Sequence, residues 1–376
     1  MFKYIRQRIA FAILTLFIIS FFVFVMVVAF GPNPVEALAI KKFQSGHASK
    51  PYDIILQELE IENGIRYSNG QLIPIIVRYF KYIGNIFTKW DFGFVINSTN
   101  NPNPSSYTNI WKLFFTPLKY TLLITVPTFL ISAILGIIIG VFAGYKRGKW
   151  FDTASNLFVL VFIAVPSFII APIAIAISIK LGISAVVPKA GEQSFGVLFT
   201  SYLPPIIVMS LSSLAVYVTY TRNQVITVLT SNYVLIAKTK GLNSTQIFFK
   251  YVLRNISIPL FSLIFGSFIG LLSGSIIIEK YWQVPGTSSI IVNAFPTGEL
   301  YIVLFSTIFF TFISLIAEII IDISFVFLDP KIKYVSKSRK NYFLFFKAYL
   351  ERKKLAKDLF KMQALDKSSN FKEGVK

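Results

Sequence analysis

The sequence predicts an all-α membrane protein with six transmembrane helices and with both termini in the cytoplasm. Hydrophobic residues make up 55% of the 376-residue chain, charged residues make up 14%, and the mean hydropathy is +0.66. Several uncharged runs reach the length of about 20 residues that a helix needs to cross a bilayer. We divide the chain into a first segment with one helix (1–30), an external loop (31–117), a five-helix core (118–330) and a basic tail (331–376).

The first predicted helix covers residues 9–30 and follows a cluster of cations at the start of the chain. A cleaved signal peptide begins in a similar way, but its apolar part is shorter and it ends in a small-residue cleavage site. No such site precedes Gly31, so we expect a retained helix. The other predicted membrane helices cover residues 120–145, 153–179, 196–221, 255–278 and 300–328.

The connections between these helices differ in charge. Those after the second and fourth helices carry clusters of Lys and Arg, whereas those after the third and fifth carry isolated lysines beside glutamates. Because Lys and Arg accumulate on the cytoplasmic side, this pattern places both termini in the cytoplasm. The loop 31–117 is then external, and its cations do not contradict this because the rule weakens in loops beyond about 60 residues.

Two stretches of the external loop have a distinct character. Residues 72–90 are amphipathic, which predicts a helix lying along the membrane surface or against the bundle. Residues 97–106, NSTNNPNPSS, are rich in turn-forming residues, and we expect them to connect without contributing to packing.

The composition excludes several classes of function. The absence of Cys and the single His47 exclude a disulfide framework and a Cys/His zinc cluster. The segment 144–150, GYKRGKW, approaches a phosphate-binding loop, but its glycines are one residue too close and Trp150 replaces the hydroxyl that would hold magnesium. No nucleophile, base and orienting residue form a recognisable set, so we expect neither catalytic residues nor a metal site.

The net charge of +20 is better explained by cytoplasmic anchoring than by nucleic acid binding. Residues 331–376 hold fourteen Lys and Arg against four Asp and Glu, which is ten of the twenty net positive charges. Aromatic and basic residues alternate over 341–360, which fits either a helix lying on anionic lipid or a solvated helix with a disordered end. Flotation of the tail with anionic vesicles distinguishes the two.

Residues that bend or join helices occur inside the predicted spans. Three prolines lie there: Pro127, Pro166 and Pro172. Each either bends its helix or, at Val165-Pro166-Ser167, forms a functional hinge. Gly136 and Gly140 are four residues apart, and this spacing predicts the close approach of a second helix.

Two acids fall late in the sixth predicted helix. Glu318 and Asp322 are four residues apart and therefore share a helix face. Ionisable groups within a membrane are costly, so such a pair indicates either a proton relay or a site near the cytoplasmic end, where water or a base such as Arg254 neutralises it.

The segment 233–259, YVLIAKTKGLNSTQIFFKYVLRNISIP, is unusual for a connection between two membrane helices. It carries Lys238, Lys240, Lys250 and Arg254 around a central Gly241, together with enough apolar residues to bury one face. Such a segment is either a solvated interfacial helix with lysines reaching into water or a helix that docks on a partner.

This segment and others in order along the chain resemble the first membrane subunit of oligopeptide and dipeptide ABC importers, the OppB/DppB type of permease. The resemblance covers about 330 residues. In the cytoplasmic EAA-type loop of that family, the matching residues are Tyr233, Val234, Ala237, Lys240, Gly241, Leu242, Leu253, Arg254, Asn255 and Pro259. Elsewhere they are Arg147, Gly148, Trp150, Asp152, Pro166, Ser167, Phe168, Leu181, Gly182, Pro188, Glu279, Tyr281, Trp282, Pro285, Gly286, Asp322 and 328–330.

The resemblance implies a type I ABC importer permease fold in which the first short helix of the loop (222–255) docks into a cleft on a cytoplasmic ATPase. We expect Val234, Leu235, Ala237 and Leu242 to form the docking face, and Lys238 and Lys240 to form the solvated side. Gly241 would make the turn, because glycine enters left-handed backbone without penalty. Leu235, Lys238 and Thr287-Ser288 depart from the family pattern.

The resemblance further implies import of oligopeptides or dipeptides across a bacterial cytoplasmic membrane by alternating access. The implied partners are a second homologous permease, two ATPases that bind ATP and magnesium, an external peptide-binding lipoprotein and membrane lipid. The residues expected at a gate or along the pathway are Pro166, Glu279, Trp282, Pro285, Gly286 and Asp322. Import of nickel chelates or other small solutes is an alternative, and a proton-driven secondary transporter using Glu318 and Asp322 is another.

Overall fold

The computed structural model describes residues 2–45, 50–189, 191–328 and 342–373 of the chain. Throughout these ranges the regular structure is helical, apart from one isolated antiparallel bridge between Arg66 and Leu72. The chain divides into two compact units, of which residues 6–332 form the larger. His47 and residues 329–330 lie outside the described residues.

The helices are numbered in chain order. They are α1 (Phe2–Phe30), α2 (Pro34–Gln44), α3 (Tyr52–Glu62), α4 (Ile75–Lys89), α5 (Ile110–Tyr145), α6 (Trp150–Ala164), α7 (Ser167–Lys180), α8 (Phe195–Leu229), α9 (Asn232–Thr239), α10 (Ser244–Ile247), α11 (Leu253–Gly274), α12 (Ile276–Tyr281), α13 (Thr287–Ala294) and α14 (Leu300–Leu328). Those from α2 to α14 lie wholly within the larger unit, and the smaller unit contains α15 (Tyr342–Glu373).

The pair α5 and α8 forms the centre of the bundle, and glycines bring the two helices together. A Cβ atom on Gly140 would lie 2.6 Å from Thr221 Cβ and 2.8 Å from the Val218 carbonyl oxygen, so no larger residue fits. The contacts advance in step, with Gly136 meeting Tyr217, Gly140 meeting Thr221 and Gly144 meeting Val225. The predicted close approach at Gly136 and Gly140 is confirmed, and the two helices run in the same direction.

The ends of the bundle follow from these directions. Tyr145 and Leu229 finish α5 and α8 at the same end, which also holds α9; we call it the loop end. Helix α14 runs parallel to α5, because Phe114 near the start of α5 packs against Phe305 and Phe309 near the start of α14. An ion pair of 2.8 Å between Arg8 Nε and Asp322 Oδ2 therefore joins α1 and α14 at the loop end.

Five helical stretches in the described ranges are long and apolar enough to cross a membrane, and a sixth is possible only if α6 and α7 count together. The prediction of one continuous helix over 153–179 is wrong, because α6 and α7 meet at an angle of 99°. Pro166 has no N–H to donate and disfavours helical backbone at Val165, which adopts φ −93° and ψ 111°. Pro127, in contrast, lies within the continuous helix α5.

The segment between α1 and α5 forms a small layer at the end opposite the loop end. Its helices α2 and α3 bury Val35, Ala39, Ile55 and Leu59 against each other. The predicted amphipathic helix at 72–90 is confirmed as α4, which packs on the bundle through buried tyrosines. Tyr79 is one of them, and its hydroxyl lies 2.8 Å from Ser20 Oγ of α1.

The turn-rich stretch 97–106 contributes more to packing than predicted. Asn100 is buried, and its side-chain amide donates to Thr297 Oγ1 at 2.8 Å and to Glu299 Oε1 at 3.3 Å. The backbone N–H groups of Ile96 and Asn97 also donate to the Glu299 carboxylate. Burial raises the pKa of Glu299 above its ordinary value, and these N–H donors act in the opposite direction.

The tail helix α15 is continuous from Tyr342 to Glu373, with its large apolar side chains exposed as far as Phe360. These side chains do not form one stripe along the helix, so α15 lacks the clean division into apolar and basic faces that membrane-surface helices show.

Candidate functional site

The segment between α8 and α11 is a compact helical loop whose shape is fixed by its own backbone. Helix α9 ends with two reverse hydrogen bonds, from Gly241 N to the Lys238 carbonyl (3.0 Å) and from Leu242 N to the Ala237 carbonyl (3.2 Å). This pair of bonds is a Schellman cap, which needs a left-handed residue after the helix. Gly241 supplies it with φ +79°, as the sequence predicted for the turn.

The second part of the loop is fixed by side chains. Asn243 Oδ1 accepts from Gln246 N at 2.8 Å, and Gln246 Oε1 accepts from Asn243 N at 3.1 Å, which together form a capping box for α10. A single π-helical turn, Phe248–Val252, then joins α10 to α11. Such turns frequently occur at functional positions in helices.

One face of the loop is buried in the bundle. Val234 and Ala237 of α9 are almost completely inaccessible, and they join a cluster with residues of α8, α10 and α11. The cluster consists of Val225, Val228, Val234, Ala237, Ile247, Val252, Ile256 and Leu260. The predicted docking face had four residues, and two of them, Val234 and Ala237, are instead buried against the bundle. Burial of this apolar surface stabilises the position of α9.

The opposite face of α9 is exposed and mixes aromatic, aliphatic and cationic side chains. Tyr233, Leu235 and Ile236 are 42%, 50% and 56% exposed, and Lys238 and Lys240 are exposed beside them. We call this the outer face of α9. Tyr233 and Ile236 form one pair spaced by three residues, and Val234 and Ala237 form another. Because the spacing is the same, the sequence alone does not show which pair is exposed, and the prediction chose the wrong one.

The remaining loop residues named from the sequence occupy the junction with α11. Arg254 is exposed and has no ion pair among the described residues, and Leu242 is half-buried at the edge of the apolar cluster. Pro259 lies inside α11, two turns after the π-helical turn. None of these three residues belongs to the outer face of α9.

An ion pair at the loop end connects the start of α6 to α8, the helix that carries α9. Arg222 donates through Nε to Asp152 Oδ1 at 2.5 Å and through Nη2 to Asp152 Oδ2 at 2.8 Å. Gly148 N also donates to Asp152 Oδ2, at 2.9 Å. The sequence analysis named Asp152 but not Arg222. The pairing could have been suggested by a single acid in the first turn of α6 and a single cation near the end of α8.

A second group of predicted residues meets at the opposite end of the bundle, around the buried Glu279. Ser275 Oγ donates to Glu279 Oε1 at 2.7 Å, while Oε2 has no hydrogen-bond partner among the described residues. Gly286 sits directly against this carboxylate, and a Cβ there would lie 2.6 Å from Thr121 Oγ1. Glycine is therefore required at this position by space.

The residues around Glu279 tie α12 and α13 to α5. Thr287 N donates to Thr121 Oγ1 at 3.2 Å, and Thr287 Oγ1 donates to the Phe114 carbonyl at 2.9 Å. Trp282 is fully buried, and its carbonyl accepts from Val187 N at 2.9 Å. Pro285 lies half-buried between Trp282 and Gly286 in the same turn.

The structure does not bring all predicted pathway residues together. Pro166 lies at the bend between α6 and α7, and Asp322 lies at the loop end in its ion pair with Arg8. Glu318, one helical turn earlier, is exposed and far from the Glu279 group along α14. Within the described ranges, His, Asp and Glu side chains form no group that could hold a metal ion.

The comparisons with known proteins agree with this architecture. Residues 136–334 match the protein family described as the binding-protein-dependent transport system inner membrane component. This match covers more than half of the chain, and the chain belongs to that family. It is therefore a multi-pass membrane permease component of the ABC importer class.

Individual relatives narrow the class to permeases of peptide transport systems. The chain is 30% identical to the oligopeptide transport system permease protein OppB of Mycoplasma genitalium, over 90% of this chain and 78% of that protein. It is 27% identical to the dipeptide transport system permease protein DppB of Lactococcus lactis subsp. cremoris, over 89% of this chain and all of that protein. The glutathione transport system permease protein GsiC of Escherichia coli K12 is 25% identical over 89% of this chain.

Proposed function

We propose that this chain is the permease subunit of an ATP-driven importer that carries oligopeptides or dipeptides across the cytoplasmic membrane by alternating access. The observation that carries the proposal is the outer face of α9, an exposed apolar and cationic surface on a short helix that is held rigidly from behind. A soluble partner can push on such a surface without deforming the loop.

In this proposal the loop end faces the cytoplasm, and so do both termini. Two ATPase subunits bind ATP and magnesium, and one of them engages the outer face of α9. A second homologous permease completes the pathway, and an external binding lipoprotein delivers the substrate. The chain itself binds no nucleotide and catalyses no reaction. Peptides are favoured over nickel chelates because the three relatives described above carry oligopeptide, dipeptide and glutathione in their names.

The proton-driven alternative gains no support from the two acids of α14. Asp322 is occupied by Arg8, and Glu318 is exposed rather than enclosed in the bundle. A proton relay through the membrane needs acids enclosed along a path, whereas one of these acids is ion-paired and the other is exposed.

The decisive test is Gly241→Val in the complete importer, reconstituted in proteoliposomes. A β-branched residue at φ +79° is strained by about 1–3 kcal/mol, and no atom within 4 Å of the new Cβ adds a steric clash. We expect the cap of α9 to be lost, the subunit to insert normally, and ATP-dependent peptide uptake to fall to background.

Gly182→Val is the matched control for this test. Gly182 has φ +74° and equally open surroundings, but it follows α7 in a connection far from α9 along the chain. The control should retain uptake. Normal ATP-driven uptake by the Gly241→Val complex would refute the coupling role of the loop.

A further inference from the structure

A cavity of about 310 Å³ lies where the bend between α6 and α7 meets α8, α11 and α12. Its lining residues are Ser167, Met209, Ser212, Ser213, Val216, Tyr217, Ser267, Gly270, Leu271 and Ile278. Half of these residues carry a hydroxyl group, and the lining contains no charged side chain. The hydroxyls of Tyr217 and Ser267 are hydrogen-bonded to each other, which leaves those of the three serines Ser167, Ser212 and Ser213 for a ligand. We call it the serine cavity. None of its residues belongs to the α9 loop or to the Glu279 group.

The bend beside the cavity is costly in a membrane. Pro166 cannot donate to the carbonyl one turn before it, and Val165 has extended backbone. Non-helical backbone at membrane depth is tolerated only where it is buried in protein or lines a water-filled cavity. Ala164 and Pro166 are exposed in this chain, and Ser167, the next residue, lines the cavity. The bend therefore fits a place that water or a ligand reaches.

The hydroxyl groups on α8 give an independent observation. Serine and threonine in helices usually donate back to a carbonyl of the preceding turn, as Ser201 and Thr219 do at 2.7 and 2.9 Å. Ser212 Oγ is buried and makes no hydrogen bond to any described residue. An unpaired buried hydroxyl costs free energy, so it is expected to have a partner from outside the chain.

Not every unpaired hydroxyl on α8 has the same surroundings. Thr221 Oγ1 is also buried without a partner, but it lies in the tight crossing with Gly140, where no ligand fits. Ser210 Oγ is unpaired as well and is not part of the cavity lining. Ser212 is distinguished by having both an unpaired hydroxyl and an adjacent space.

The cavity lies half-way along α8. Ser212 and Ser213 are at the middle of the 35-residue α8, about half-way between its ends at a rise of about 1.5 Å per residue. Discontinuous helices that face a central cavity are the usual way in which transporters build a substrate site near the middle of the membrane.

We propose that the serine cavity is this subunit's contact with the transported peptide, and that it binds the peptide main chain. Hydroxyl groups both donate and accept hydrogen bonds, so they match the N–H and C=O groups that every peptide carries. The uncharged lining makes no distinction between acidic and basic side chains. This inference rests on the proposed function and adds to it a binding surface and a basis for broad substrate acceptance.

Alanine substitutions test the contact. Ser212→Ala removes a hydroxyl that pairs with no described residue in the free chain, so the variant should fold at least as well as the wild type. Loss of one hydrogen bond to the peptide should raise the KM for uptake about two- to tenfold. Ser210→Ala is the matched control, because its hydroxyl is equally buried and unpaired but lies outside the cavity, and its KM should stay at the wild-type value.

Thiol labelling of this subunit, separated from its partners after the reaction, gives a second readout, because the chain has no cysteine of its own. Ser213→Cys in the complete complex should react with a membrane-impermeant thiosulfonate at least about tenfold faster than Ile207→Cys, since thiols in apolar surroundings keep their proton. Ile207 is 55% exposed on the same helix and lies outside the cavity lining. Saturating transported peptide should slow the reaction at Ser213→Cys alone.

The outcomes separate the two proposals. An importer that moves peptide with ATP but shows equal labelling at both cysteines, or labelling that peptide does not slow, overturns the serine cavity and leaves the proposed function intact. An unchanged KM in Ser212→Ala has the same meaning. A complete wild-type complex that does not import peptide when ATP is supplied refutes the proposed function itself.

Discussion

The two ends of the helix bundle fix their irregular segments by different means. At the loop end, α9 and α10 are held by backbone caps and by an apolar cluster, and the cations Lys238 and Lys240 point outwards. At the opposite end, the buried Glu299 carboxylate accepts hydrogen bonds from the backbone of Ile96 and Asn97, and the buried Glu279 carboxylate accepts one from Ser275. One end therefore leaves its charged groups available to a partner, whereas the other uses them internally.

The difference also separates two kinds of sensitivity to mutation. Caps contribute about 1 kcal/mol each, and apolar packing adds about 0.8 kcal/mol for each buried CH₂ group. A buried charge or carboxylate has few partners, and removing one of them leaves the other without compensation. The loop end is held mainly by caps and apolar packing, but the Asp152–Arg222 ion pair there is largely shielded from solvent. It should thus show the largest effect in that region.

Arg222→Met is expected to destabilise the chain by about 1.5–3 kcal/mol, because the Asp152 carboxylate loses its cation and keeps only the N–H donors of Gly148 and Asn156. The free energy of unfolding in detergent micelles, measured with denaturant, checks this value. The double variant Asp152→Asn with Arg222→Met should recover much of the loss, since it removes the charge as well. A double variant as unstable as the sum of the two single variants would show that the pair does not act as a unit.

Glu299→Gln should cost about 1–3 kcal/mol despite its similar shape. The Glu299 carboxylate accepts from Ile96 N and Asn97 N on separate oxygens, and an amide replaces one of those acceptors with a donor. The expected result is a lower free energy of unfolding and earlier proteolysis of residues 91–109. Glu192→Gln is the control, because its exposed carboxylate also accepts a backbone N–H, from Lys189 at 3.2 Å, and should lose little. Equal losses in both variants would contradict the anchoring role.

The sequence predicted the features that depend on local chemistry. The spans at α1, α5, α8, α11 and α14, the close approach at Gly136 and Gly140 and the left-handed turn at Gly241 all follow from residue type and spacing. Family membership also followed from motifs in order along the chain.

The features that failed depend on tertiary contacts. Val234 and Ala237 have the same spacing as Tyr233 and Ile236, and only packing against α8 and α11 decides which pair is buried. The break at Val165 was recognised as an option, but its angle of 99° is set by neighbouring helices. Partners such as Arg222 and Asp152 are 70 residues apart, beyond the reach of local pattern reasoning.

The smallest expected effect concerns two caps with the same chemistry at different places. Asn243 caps α10 in the loop, and Asn109 caps α5 by accepting from Lys112 N at 2.8 Å. Replacing either with alanine should cost about 1 kcal/mol in the free energy of unfolding. If the loop transmits force, Asn243→Ala should also lower the ratio of peptide imported to ATP hydrolysed, because its cap lies between the outer face of α9 and α11. Asn109→Ala should leave that ratio unchanged, so a fall in both variants would mean that general stability, not the loop, controls coupling.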